Sequence, residues 1–201
     1  MMSGSPVPMA PRGAAFAAID LAAGRSIRTA TLTNPLNIRA VFRSSDRSMT
    51  LTDLVAPTAI IPALKVNGKK QAIQELAARA AELTGQGERA ILEILLQREK
   101  LGSTGVGNGI AIPHGKLPKL GRLFGLFARL ERPIDFESLD SQPVDLIFLL
   151  LAPETAGADH LKALARVARL LRDPEIARKL RESTDADALY AVLAMSTASA
   201  A

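Results

Sequence analysis

Residues Val144 to Leu151 read VDLIFLLL, apolar on both alternations apart from Asp145. A strand with one wet face alternates apolar and polar side chains, so a strand without alternation has cover on both faces. The run is far shorter than the ~20 apolar residues of a membrane helix, and no other run approaches that length. The segment predicts a central strand in a sheet with further layers on either side.

The elements around it fit that frame. Lys69 to Thr84 predicts an amphipathic helix, with Ile73, Leu76, Ala77, Ala80 and Leu83 at helical spacing and Gly85 as a stop. Glu88 to Lys100 predicts a second, with Ile91, Leu92, Leu95 and Leu96 on one side and Gly102 ending it. Ala158 to Arg172 predicts a third, with Leu161, Leu164, Ala165, Ala168 and Leu171 facing inward. Asp173-Pro174 opens a fourth in cap-then-proline order, and Asp185 to Ala194 is a short last helix. Thr52 and Asp53 are read as caps of a short turn ended by Pro57, and Ala59–Ile61 and Leu64–Val66 as short extended pieces around Pro62. Arg122 to Leu130 predicts a strand closed by a turn at Arg132-Pro133. Helices before, between and after strands argue an α/β fold of layered type.

The chain has 201 residues and a formal net charge of +5, which invites a nucleic-acid reading. The position of the charge weakens it. Residues 1–48 hold six arginines against Asp20 and Asp46, while the remainder is balanced to within one charge. That segment, rich in Ala, Ser, Pro and Arg, is expected to be a disordered N-terminal extension, with a transit peptide or an upstream start as alternatives. The folded domain is expected over residues 49–195, with 196–201 as a flexible tail. Zero cysteines exclude a disulfide scaffold, a thiolate metal site and a cysteine nucleophile. A reducing compartment is the expectation.

Chemistry concentrates in Arg98 to His114, REKLGSTGVGNGIAIPH. Gly102 to Gly115 reads as a loop holding five of the 14 glycines. Such loops bring backbone amides close to anions. His114 follows Pro113, which stiffens its approach, and precedes Gly115, which is expected to keep space open beside the ring. A neutral imidazole is a nucleophile at physiological pH and can carry a phosphoryl group as a covalent intermediate. That transfer needs in-line positioning and positive charge on the equatorial oxygens. Arg98, the Thr104 hydroxyl, Asn108 and loop amides are the candidate phosphate ligands. His160, the second of two histidines, sits near a predicted helix start, where an anion is favoured. An ordinary loop histidine, a helix-start hydrogen bond and a solvated arginine are the blander readings of the three. There is no Gly-Lys-Ser/Thr ending of a Walker loop, no strand–helix dinucleotide context and no nucleophile elbow. Two histidines without supporting carboxylates make a poor metal site, so no metal and no cofactor are expected.

Three stretches, REKLGSTGVGNGIAIPHGKLP, FARLERPIDFESLDSQPVDLIFLLLAP and DHLKALARVARLLRDPEI, resemble the IIA component of the bacterial phosphoenolpyruvate-dependent phosphotransferase system. The nitrogen-regulatory branch, related to fructose and mannitol IIA domains, is the nearest in pattern. The resemblance runs from about Met49 to about Ala194. It implies a small mixed β-sheet sandwiched by helices on both faces. It implies that His114 is phosphorylated, that His160 supports it and that Arg98 lies beside the ring. It implies a phosphorylated HPr-like carrier as donor, and target proteins, among them potassium-transport or stress regulators, read through the phosphorylation state. The alternative is a sugar-transport IIA subunit passing phosphate to a separate IIB. A cytoplasmic protein with no nucleic-acid partner and no membrane span is expected.

Overall fold

The computed structural model describes residues 51–195. The expected extension over 1–48 and the tail over 196–201 lie outside the described residues. A 3₁₀ turn, Leu51–Asp53, leads into β1 (Val55–Leu64). Then come α1 (Lys69–Thr84), α2 (Glu88–Lys100), β2 (Gly105–Gly107), β3 (Ile110–Ala111), β4 (His114–Leu117), β5 (Phe124–Ile134) and β6 (Val144–Pro153). A 3₁₀ turn, Glu154–Ala156, precedes α3 (Gly157–Leu171), α4 (Pro174–Glu182) and α5 (Ala186–Met195).

The six strands form one mixed sheet in the order β1-β5-β6-β3-β2, with β4 also pairing β6. β5 runs antiparallel to β6, while β1 is parallel to β5. β3 and β4 both lie parallel to β6, end to end along one edge: Ile110 pairs with Leu146 and His114 with Leu150. Pro113 separates them, and its carbonyl accepts from the Leu150 amide at 2.9 Å, so the edge stays bonded across the break. Every residue of β6 from Leu146 to Ala152 is buried, on both faces of the pleat. Helices on both faces supply that cover, as the apolar run required.

The sequence expectations hold for all five helices, to within two residues at every predicted end. Gly85 caps α1 in the left-handed conformation, at φ 67°. Asp173 caps α4 by accepting the amides of Glu175 and Ile176. Four details differ. β1 is one strand through Pro57 and Pro62, because it is a sheet edge, where a missing N–H is tolerated, and register shifts absorb the rings. β5 continues through Arg132-Pro133 to pair Ile134 with Val144, with an irregularity after Arg129 taking up the proline. The Gly102–Gly115 loop contains β2, β3 and the start of β4. On α3 the buried stripe is His160, Ala163, Val167, Leu170 and Leu171, while Leu161 is 66% exposed. The helix is rotated from the expected face because His160 itself points inward.

Candidate functional site

Three elements meet where β4 begins, at its junction with β3. The last turn of α2 presents Arg98, the first residue of β4 is His114, and the first turn of α3 presents His160. Arg98 donates its Nε–H to Nε2 of His114 at 3.0 Å and a terminal N–H to the Gly102 carbonyl at 2.9 Å. The guanidinium therefore caps the helix end and faces the imidazole at once.

The protonation state of His114 follows from its two neighbours. Nδ1 lies 2.8 Å from the Ile112 carbonyl. A carbonyl only accepts, so Nδ1 carries the hydrogen and Nε2 carries the lone pair that Arg98 meets. Burial, with the Arg98 charge in support, pulls the His114 pKa below the ordinary 6.5, against the opposing pull of the Ile112 carbonyl and Glu99. The ring is neutral at pH 7, with a nucleophilic nitrogen pointing at a cation.

His160 packs its ring 5.8 Å from that of His114, tilted by 60°. It is 7% exposed, and its Nε2 is buried without a hydrogen-bond partner. Burial, then His114 and Lys116, hold its pKa down as well. An orphaned buried nitrogen beside a nucleophile is a place for an incoming polar atom.

Thr104 and Asn108 are placed differently from these three. Thr104 is 3% exposed, and its hydroxyl donates to Glu99 at 2.6 Å. Asn108 sits with Gly109 at the tip of the β2–β3 hairpin, both at positive φ (56° and 76°). Its amide donates to Asp140 and its carbonyl accepts from Arg181, which also grips Asp145 through two bonds of 2.7 and 2.8 Å. The neighbouring Ile110 pairs with Leu146, four residues before the partner of His114, about 13 Å along the strand. The fold joins Arg98, His114 and His160 and does not bring Asn108 to them. The Asn-Gly pair was the signal for that hairpin. Gly115 also differs from expectation. A Cβ there would run into Cγ2 of Ile94 on α2, so the glycine serves helix–strand packing rather than space beside the ring.

Sequence reasoning missed Glu99 and Lys69. The Glu99 side chain, 7% exposed, accepts the Thr104 amide and hydroxyl and pairs with Lys69 Nζ at 2.8 Å. Burial pulls its pKa up, but the Lys69 and Thr104 hydrogen bonds outweigh that and hold the carboxylate below its usual range. Its adjacency to Arg98 was the only hint in the sequence. Among the described residues no cluster of three or more His, Asp or Glu side chains is arranged to hold a metal.

The family model described as "Phosphoenolpyruvate-dependent sugar phosphotransferase system, EIIA 2" matches residues 53–196. The chain belongs to this family. Within it, this IIA protein is similar to the "Nitrogen regulatory protein" of Bradyrhizobium diazoefficiens, at 76% identity over 76% of this chain and 100% of the relative. The Escherichia coli K12 "Nitrogen regulatory protein" is 38% identical over 75% of this chain and 93% of its own. The crystal structure of the Neisseria meningitidis nitrogen regulatory protein IIA-Ntr superposes with a TM-score of 0.68 at 33% identity, covering 71% of this chain and 98% of the other. Escherichia coli mannitol IIA, at 22% identity and a TM-score of 0.60 over 69% and 98% of the two chains, shares the fold. No described helix is long and apolar enough to cross a membrane.

Proposed function

We propose that Nε2 of His114 accepts a phosphoryl group from a phosphorylated HPr-like carrier and that the phosphorylated protein is read by regulatory targets. The observation that carries this is the single lone pair of His114, held at Nε2 by the Ile112 carbonyl and met there by the Arg98 guanidinium.

In the transfer, the Nε2 lone pair attacks phosphorus in line while the bond between phosphorus and the donor's nitrogen breaks. The leaving nitrogen keeps that electron pair. His114 loses no proton in the step, because its hydrogen stays on Nδ1. Arg98 gives up its bond to Nε2 and turns its planar N–H fork to the equatorial oxygens. The orphaned Nε2 of His160, carrying a hydrogen, donates to one of them. Lys116, exposed on β4, adds positive potential at the mouth. Thr104 acts through the loop rather than on the phosphoryl group, since its hydroxyl is spent on Glu99.

The similarity to nitrogen regulatory proteins favours a regulatory role in the cytoplasm over handing phosphate to a sugar-specific IIB. Phosphorylation adds about two negative charges at a site that is otherwise neutral to basic, a change a partner can read. Potassium-transport or stress regulators are the targets proposed. The test is incubation with carrier charged from phosphoenolpyruvate. Acid-labile, base-stable phosphate is expected on the wild type and none on His114→Ala. Phosphate retained by that variant would remove His114 from the role.

A further inference from the structure

We propose that Glu99 is a positioning residue that holds the tautomer of His114 through a three-link hydrogen-bond chain running Glu99, Thr104, Ile112, His114. The proposal rests on the phosphocarrier reading only for its kinetic consequence.

The links are continuous. The Glu99 carboxylate accepts the Thr104 amide at 3.1 Å and the Thr104 hydroxyl at 2.6 Å. The Thr104 carbonyl accepts the Ile112 amide at 2.9 Å. The Ile112 carbonyl accepts Nδ1–H of His114 at 2.8 Å. Glu99 and Arg98 are neighbours on α2, so one helix turn fixes both ring nitrogens. Arg98 reaches Nε2 directly, and Glu99 reaches Nδ1 through two residues of the β2–β3 segment.

The chain is mechanical rather than a wire for charge. At Thr104 and at Ile112 the accepting carbonyl and the donating amide belong to different peptide units, so polarisation does not pass along a single amide. What passes is position. Thr104 precedes the glycines at 105, 107 and 109, and Ile112 precedes a proline with no N–H of its own. A stretch so rich in glycine needs an external anchor, and a carboxylate bonded twice to one residue supplies it. Lys69 completes the anchor, with Glu99 at 2.8 Å and Glu137 at 2.9 Å.

The benefit falls on the reacting state. As Nε2 gives its lone pair to phosphorus, positive charge develops on the ring and its Nδ1–H becomes a stronger donor. A carbonyl already in place stabilises that charge without rearrangement. The charged and titratable groups facing the ring are Arg98 and Glu99 from α2 and His160 from α3, with Lys116 on the same strand.

The test uses the full chain with Glu99→Gln, which keeps one acceptor oxygen, and Glu99→Ala, which keeps none. Long-range ¹H–¹⁵N spectra of the imidazoles read the tautomer, amide spectra confirm folding, and the phosphorylated carrier serves as donor for kcat and KM. In the wild type the Nδ1–H form is expected alone. Glu99→Ala is expected to show a mixture of tautomers and a kcat lower by roughly 10- to 100-fold at unchanged KM, with Glu99→Gln between the two. Glu99→Gln carries the result if Glu99→Ala does not fold. Folded variants with the wild-type tautomer overturn the proposal, whether kcat falls or not. A tautomer that shifts in a protein whose wild type never takes phosphate upholds the anchor and overturns the phosphocarrier reading instead.

Discussion

The rings of His114 and His160 lie 5.8 Å apart, centre to centre, and Nε2 of His160 is buried with no hydrogen-bond partner. A buried polar atom without a partner costs free energy, about 1–3 kcal/mol. On the proposed reading, a bond to a phosphoryl oxygen recovers that cost. His160→Ala should therefore slow phosphoryl acceptance by about 100-fold, the scale for losing one donor to a developing anion, while leaving some label on His114. His160→Gln, which restores an N–H the same number of bonds from Cβ but without the ring, should regain part of the rate. Rapid-quench labelling with the phosphorylated carrier measures both. Wild-type rates in His160→Ala would remove His160 from the site.

Arg98 is bonded to Nε2, and on the proposed transfer it becomes free for a phosphoryl oxygen. Its second bond, to the Gly102 carbonyl, holds the guanidinium beside the ring. A lysine supplies charge but neither the fork nor the simultaneous cap. Arg98→Lys is expected to lose about 10²-fold in transfer rate with a melting temperature close to wild type, and Arg98→Ala to lose more. Equal rates for lysine and arginine would mean that only charge matters there.

Acid should act on this protein in two stages. The folded pKa values of His114 and His160 lie below the ordinary 6.5, so below that pH the unfolded chain binds more protons than the folded one. Stability then falls as pH falls. The contribution is complete above pH 6.5 and is lost on descending through the folded values. Glu99 repeats the pattern below its reference of 4.5. Urea titrations from pH 8 to pH 4 should show the first decline begin near 6.5, and it should shrink in His114→Ala. Phosphoryl acceptance should persist below pH 6.5, because Nε2 keeps its lone pair there.

Much of this was readable from residues and some was not. The burial of β6 follows from its lack of alternation, and the α4 cap from Asp173-Pro174, because both signals are local. The union of Arg98 with His114 across 16 positions was suggested by chemistry and by family resemblance, yet spacing alone could not give it. The hairpin at Asn108-Gly109 was hidden by reading glycines as loop rather than as turn. At that hairpin the backbone of Asn108 serves Arg181 and Asp140. Glu99 was invisible because a charged residue in the last turn of a helix is ordinarily solvated, and only the folded chain shows it buried against Thr104. The α3 stripe slipped because Leu161 was read as inward-facing, while the buried positions run through His160, Ala163 and Val167.

Gly115 ties the site to the frame beneath it. It follows His114 on β4 and lies under α2, where an added Cβ would collide with Cγ2 of Ile94. Ile94 is β-branched, so its methyl has little rotamer freedom to move aside. Gly115→Ala should thus push β4 and α2 apart and destabilise the protein by about 1–3 kcal/mol. At this size that is a fall of roughly 2–12 °C in melting temperature. The same shift lengthens the bond between Arg98 on α2 and His114 on β4, so transfer should slow as well. Ile94→Ala removes the obstructing methyl at the expense of buried apolar surface. In the Gly115→Ala background it should therefore cost less than it does alone, with a coupling of about 0.5–3 kcal/mol. A double-mutant cycle by chemical denaturation, run alongside the labelling assay, reads both effects. Strict additivity would show that the glycine is there for some reason other than its contact with Ile94.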